Sequence, residues 1–226
     1  EAKNIDKKIS LDSRNILVYD KYFKGVESIQ AILDFFNSYE AKNFFINKFK
    51  FIYIKSLLLS IWVTIAFVEK DMKFRTRISH LKLNIFRLIK SLPIILNNLK
   101  LETKIEYSYI LNEGLIVPHT DSKSKFISLM LYFPKFSNEN KMKKLENNLG
   151  TIFYSSKISN SVNQHLHEEK LDNFIKNSQI ISKLPFDSKN LYGFIRSPFS
   201  WHAVEKVDID KDYYRFSINI NYHTLF

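Results

Sequence analysis

Three residues of this chain have the types and spacing to hold a divalent metal: His119 and Asp121 in Pro118-His119-Thr120-Asp121, and His202 in Ser200-Trp201-His202-Ala203-Val204. The His-x-Asp pair closes a strand-like run after the Gly114 turn. Side chains alternate along a strand with period two, so both ligands project from one side. Two imidazoles and one carboxylate on a single face leave the opposite coordination positions open, a donor set suited to Fe(II). A His-x-Asp pair alone is a weak signal in a chain with six histidines, and a solvated loop is the competing reading. The chain has no cysteine, which excludes disulfides, thiolate zinc sites and cysteine nucleophiles.

A second constellation follows His202. Arg215 lies 13 residues on and Ser217 two further, within Tyr213-Tyr214-Arg215-Phe216-Ser217-Ile218-Asn219-Ile220-Asn221. Odd positions from Arg215 are polar and even ones apolar, so the run reads as a strand with one polar and one apolar face. If the apolar face packs on helices, Arg215, Ser217, Asn219 and Asn221 point inward, where an unpaired guanidinium is costly. A dicarboxylate answers that charge, because the planar guanidinium grips a carboxylate with two parallel hydrogen bonds and a serine hydroxyl adds a third. An internal ion pair from Arg215 to Asp or Glu is the alternative.

The remaining histidines are weaker candidates. His165 and His167 sit in a polar stretch with Glu168 and Glu169, and read as solvated rather than as a second metal site. His80 and His223 have no partner in sequence and read as structural or exposed. The formal charge is +11, yet only six of the 34 basic residues are Arg, the usual reader of phosphates and base edges. The Lys is spread along the chain, densest over residues 70–90, so nucleic acid is not the expected partner. The longest uncharged run, residues 56–68, is 13 residues and falls short of the roughly 20 that span a bilayer. It reads as a buried core element, and the cytoplasm is the default location. The chain opens on Glu1 without a basic-then-apolar leader, which leaves a processed leader open.

The elements that must position these residues divide into two halves. Residues 16–19 read as a short opening strand, residues 26–36 as an amphipathic helix, and residues 81–92 as a second helix that breaks before Pro93. Beyond Leu101 come runs rich in Ile, Tyr, Phe and Val at 104–111, 126–133, 151–154, 191–195 and 213–222, which read as strands. The expectation is one α+β domain over residues 1–226: a helical layer, 1–100, on a jelly-roll core, 101–226. The polar segment 155–189 interrupts the strands and reads as an insertion that covers the site.

His119-x-Asp121, His202 81 residues after Asp121, and Arg215-x-Ser217 resemble the signature of the 2-oxoglutarate/Fe(II)-dependent oxygenases, whose core is a double-stranded β-helix. The likeness extends to Asn15-Ile-Leu-Val-Tyr-Asp-Lys-Tyr-Phe, which is similar to the family's opening strand, and to the strand around His202. The resemblance implies Fe(II), 2-oxoglutarate and O2, with iron on His119, Asp121 and His202 and the 5-carboxylate on Arg215 and Ser217. It implies hydroxylation, or a related desaturation, with release of succinate and carbon dioxide. Members often place a Tyr against the cosubstrate, which points to Tyr109 and, on the same strand face, Tyr107; packing in the sandwich is the other reading of both. The prolyl 4-hydroxylase branch uses Lys for the 5-carboxylate, so Arg215 argues against close kinship with it. The related halogenases lack the metal carboxylate, and Asp121 is present. A small-molecule substrate is the leading expectation. An oxygenase acting on protein or nucleic acid, and a cupin-type or non-catalytic metal-binding jelly roll, are the alternatives.

Overall fold

The computed structural model describes residues 8–12, 25–66, 101–134, 149–156, 166, 171–208 and 214–224, together with positions 79, 81, 82, 85, 86, 88 and 89. The expected strand at 16–19, the resemblance at 15–23, and His80, His165 and His167 lie outside these residues. So does most of the basic stretch 70–90.

Strand β1 (Lys8–Asp12) pairs antiparallel with β2 (Leu101–Leu111). Helix α1 (Glu27–Asn37) stops at Ser38, whose Oγ accepts the Ala41 amide at 3.1 Å. That bond satisfies a donor of the first turn of α2 (Tyr39–Ala66), so one serine separates the two helices and caps the second. Ala41, Phe45, Tyr53 and Leu57 are buried at steps of four and eight, as on one face of a helix. Phe44, Phe51, Ile52 and Leu58 are exposed on the others. The uncharged run at 56–68 therefore begins in this helix and is only partly core. The described positions from 79 to 89 are helical, as the spacing over 81–92 predicts.

The remaining strands are β3 (Ile116–His119), β4 (Lys125–Phe133), β5 (Ile152–Ser156), β6 (Ser178–Lys183), β7 (Leu191–Ile195), β8 (Trp201–Val204) and β9 (Tyr214–Thr224). A short helix, α3 (Leu171–Lys176), precedes β6. They form two antiparallel sheets, in the orders β1-β2-β9-β4-β7 and β3-β8-β5-β6. The pairs β5·β6, β4·β7, β3·β8 and β2·β9 nest inside one another, like a long hairpin folded so that successive pairs alternate between sheets. Among the described residues no helix is long and apolar enough to cross a membrane.

The alternation in β9 decides what each face of the larger sheet meets. Ile218, Ile220 and Tyr222 pack with Phe36, Phe45, Tyr53, Ile105 and Tyr107 between sheet and helices. Tyr222 Oη donates to Phe36 O at 2.8 Å and Ser56 Oγ to Arg196 O at 2.6 Å, tying both helices to the sheet. On the other face Ile110, Met130, Tyr132, Leu149, Phe186, Val204 and Val207 close one end of the space between the sheets.

The segment 155–189 corrects an expectation. Its described second half is fixed in the fold: β6 is the edge strand beside β5, Phe174 of α3 packs 4.7 Å from the Trp201 ring, and Phe186 is buried. The alternation in Ser178–Lys183 is hard to see because five of the six residues are exposed. The part that remains for a cover lies within 157–170, of which only position 166 is described.

Candidate metal and dicarboxylate site

His119 and His202 face each other across β3 and β8 in register, with ring centroids 4.2 Å apart. A register shift in β3 between Ile116 and His119 brings both of those residues to the inner face; Pro118 falls within it, where a proline is tolerated because the ladder is interrupted. His119 Nδ1 bonds Val117 O at 2.9 Å and His202 Nδ1 bonds Ser200 O at 3.0 Å. With Nδ1–H given to a carbonyl, the lone pair is at Nε2, the tautomer a metal ligand needs. Phe194 packs 4.5 Å from the His202 ring and walls its side of the site.

Asp121 is not on the strand. It lies two residues past the end of β3, in the connection to β4, and the backbone there is anchored by Arg196 Nε donating to Asp121 O at 3.1 Å. Lys125 Nζ donates to Oδ1 at 2.6 Å and Ser128 Oγ to Oδ2 at 2.8 Å. Burial alone would raise its pKa; the charge and hydrogen bond of Lys125, with His202 and His119 beside it, outweigh it and hold the carboxyl well below the usual range. One donor atom from each of His119, Asp121 and His202 lies within 4.8 Å of the other two.

Arg215 is 3% exposed. Nε donates to Leu149 O, Nη1 to Ser217 Oγ at 3.4 Å, and the guanidinium lies over the rings of Tyr132 and Phe186 at 5.1 and 5.2 Å. Burial lowers its pKa. Among the described residues no carboxylate is in ion-pair contact with it. The internal salt bridge, the alternative reading of this Arg, is therefore not met there. Gly150 permits the contact with Leu149: a Cβ on it would lie 1.6 Å from Leu184 O.

Both constellations open on one cavity of about 180 Å³, lined by His119, Asp121, Lys125, Ser128 and His202 and by Thr151, Arg215, Ser217, Asn219 and Asn221. Cavities near 150 Å³ already accept a molecule the size of benzene. Tyr107 and Tyr109 are not part of it. They do share a face of β2, but it is the face away from Ser108, which lines the cavity. Tyr107 is buried in the helix-side core and Tyr109 stacks on Phe216 at 4.7 Å. The expected contact of either tyrosine with a cosubstrate is thus contradicted by strand parity.

Lys125, Ser128 and Arg196 are functional neighbours that sequence reasoning missed. The only trace of the first two is a Lys and a Ser inside the apolar run of β4. His223 is half-buried, bonds Ser124 Oγ through Nδ1 at 3.0 Å, and is pushed down to about 4 by burial and by Lys104 and Lys125. It reads as structural.

No protein-family profile matches the sequence, and no curated protein does. Among solved structures the chain is similar to a prolyl-4-hydroxylase of Pseudomonas putida (9% identity, 69% of this chain and 68% of that one, TM-score 0.33). It is also similar to HygX of Streptomyces hygroscopicus with nickel, 2-oxoglutarate and hygromycin B bound (10%, 63% and 66%, 0.36). A third is CytC3 (14%, 78% and 67%, 0.28). Likeness of that degree decides neither fold nor chemistry, which rest on the geometry above.

Proposed function

We propose that the chain is an Fe(II)- and 2-oxoglutarate-dependent oxygenase that hydroxylates a small molecule. The observation that carries the reading is that a His-Asp-His cluster and a buried Arg215, with no carboxylate in ion-pair contact among the described residues, line the same cavity. A cupin-type metal site needs the first and has no use for the second. The nested strand pairs and the alternation of β2 to β9 between two sheets support a double-stranded β-helix, the closed eight-strand jelly roll. A single domain with its core over residues 101–226 follows from the same reading.

In this reading His119, Asp121 and His202 hold the metal on one face, with Val117 O and Ser200 O fixing the imidazole tautomers and Ser128 orienting the carboxylate. Arg215 grips the far carboxylate of 2-oxoglutarate with Ser217 beside it. Asn219, Asn221, Ser108 and Ser128 give the cavity a polar floor, while Ile116, Phe194 and Val204 keep water from its other wall. Bound iron would supply the reaction of O2 with 2-oxoglutarate, one oxygen atom going to succinate as carbon dioxide leaves and the other to a substrate C–H bond as its hydroxyl. The protein contributes positioning and exclusion of solvent.

Anaerobic titration tests the assignment. One equivalent of Fe(II), then one of 2-oxoglutarate, should bind, with the metal lost in His119→Ala and His202→Ala. Metal binding of wild-type strength in either variant would refute it.

A further inference from the structure

β4 and β9 run side by side with Tyr132 opposite Ser217, Met130 opposite Asn219 and Ser128 opposite Asn221. On that alternation Phe126 would face the cavity next and Lys125 would face the helices. A bulge between Lys125 and Ile127 inverts this: Ile127 pairs with Tyr222 and Lys125 with His223, so Phe126 and Ile127 both enter the helix-side core and Lys125 turns to the cavity. Bulges beside active sites commonly re-aim one side chain in this way.

The position of Lys125 is as informative as its direction. Arg215 and His223 are eight residues apart on β9, roughly 26 Å along a strand, with the Ser128–Asn221 level between them. Ser128 and Lys125 both bond Asp121, so the metal cluster lies between Arg215 and the end marked by Lys125. A cosubstrate that reaches from Arg215 to the metal therefore leaves the Lys125 side for the molecule to be oxidised.

Charge then identifies what that molecule carries. The Lys125 side chain is 14% exposed and its ammonium is answered by Asp121. A divalent cation takes that carboxylate for itself. Formally, a divalent cation and Arg215 are balanced by Asp121 and a dicarboxylate, which leaves the charge of Lys125 in excess. The other acid lining the cavity, Glu106, pairs in register with Asn219, about 7 Å along the strand from the Ser128–Asn221 level, and is engaged in an interaction of its own. Among the described residues, the charged groups that act on the neighbouring His223 besides Lys125 and Asp121 are Lys104 and Glu102, which answer each other at 3.0 Å, and His223 itself is held neutral.

Resting on the proposed function, we infer that Lys125 is a substrate-binding residue: it occupies Asp121 until the metal arrives, then receives an anionic group of the substrate, a carboxylate, phosphate or sulfate ester. The enzyme's substrate class is thus a small organic anion.

The test uses the full chain loaded with Co(II), read by its visible spectrum, with 2-oxoglutarate added and then inorganic sulfate as the anion probe. Wild type should bind all three in turn. Lys125→Met should bind Co(II) at least about tenfold more tightly, since a competing cation is gone. It should keep 2-oxoglutarate and lose at least about tenfold in sulfate affinity, and Lys125→Arg should restore sulfate binding. Sulfate affinity unchanged in Lys125→Met, or Co(II) affinity lowered as for a residue that merely braces Asp121, would overturn the inference. Failure of wild type to bind Co(II) or 2-oxoglutarate would instead overturn the function on which it rests.

Discussion

Replacing Arg215 with Met separates a ligand-binding cation from a structural one. The change removes a buried charge and keeps a long apolar side chain against Tyr132 and Phe186. Among the described residues it leaves no carboxylate stranded; its main cost is the bond to Leu149 O, about 1–3 kcal/mol for an orphaned buried acceptor. Relief of the desolvation of a buried ion offsets this by a comparable or larger amount, so the thermal midpoint should stay within a few degrees of wild type. Had Arg215 closed an internal ion pair, the loss would be about 3–5 kcal/mol. That is a fall of about 6–20 °C at this chain length. Binding should respond the other way. Two charge-assisted hydrogen bonds at about 1.5–3 kcal/mol each weaken 2-oxoglutarate by about 10² to 10⁴-fold. Arg215→Lys, which keeps the charge and loses the fork, should lose about 10 to 100-fold. Calorimetric titration of 2-oxoglutarate into Co(II)-loaded protein, beside a melting curve, measures both. A destabilised Arg215→Met that binds 2-oxoglutarate normally would refute the reasoning.

Three further outcomes are expected. Ser128→Ala leaves the metal ligands in place and removes the bond to Asp121 Oδ2, so Co(II) affinity should fall about 10 to 100-fold; an unchanged affinity would mean that the Ser128 bond does not orient the carboxylate. His223 is depressed to about 4 in the folded chain, so the unfolded chain binds more protons between there and the ordinary value near 6.5. Its contribution to stability is full above about 6.5 and is lost as pH falls toward 4. His223→Gln should flatten that part of a stability–pH curve for metal-free protein, and an unaltered slope would contradict the burial of a neutral imidazole. Gly150→Ala must move backbone at Leu184, and a cost of about 2 kcal/mol lowers the thermal midpoint by about 4–8 °C; an unshifted midpoint would show the close approach to be dispensable.

The strands that carry the site were legible because they are half polar. In β9 the alternation of Arg215, Ser217, Asn219 and Asn221 with Phe216, Ile218 and Ile220 reflects a cavity on one side and helices on the other. β2, β4, β5 and β7 were readable to within three residues at each end for another reason, as short runs rich in Ile, Leu, Tyr and Phe. What escaped has identifiable physical causes. Helix α2 carries apolar residues around its whole circumference, so no period stands out. The register shifts that aim His119 and Lys125 are properties of two paired strands, and neither strand shows one alone. Parity put Tyr107 and Tyr109 together on β2 but did not say which face of that strand meets the helices. The ion pair between Lys125 and Asp121 required the third dimension.

The most direct measurement of the central claim is substrate-free turnover. Protein reconstituted anaerobically with Fe(II) and 2-oxoglutarate, then exposed to oxygen, should release succinate slowly and only with all three present. His202→Ala and Arg215→Met should reduce that release to the level of metal-free protein. No succinate above that level from wild-type protein shown to hold both iron and 2-oxoglutarate would contradict the account.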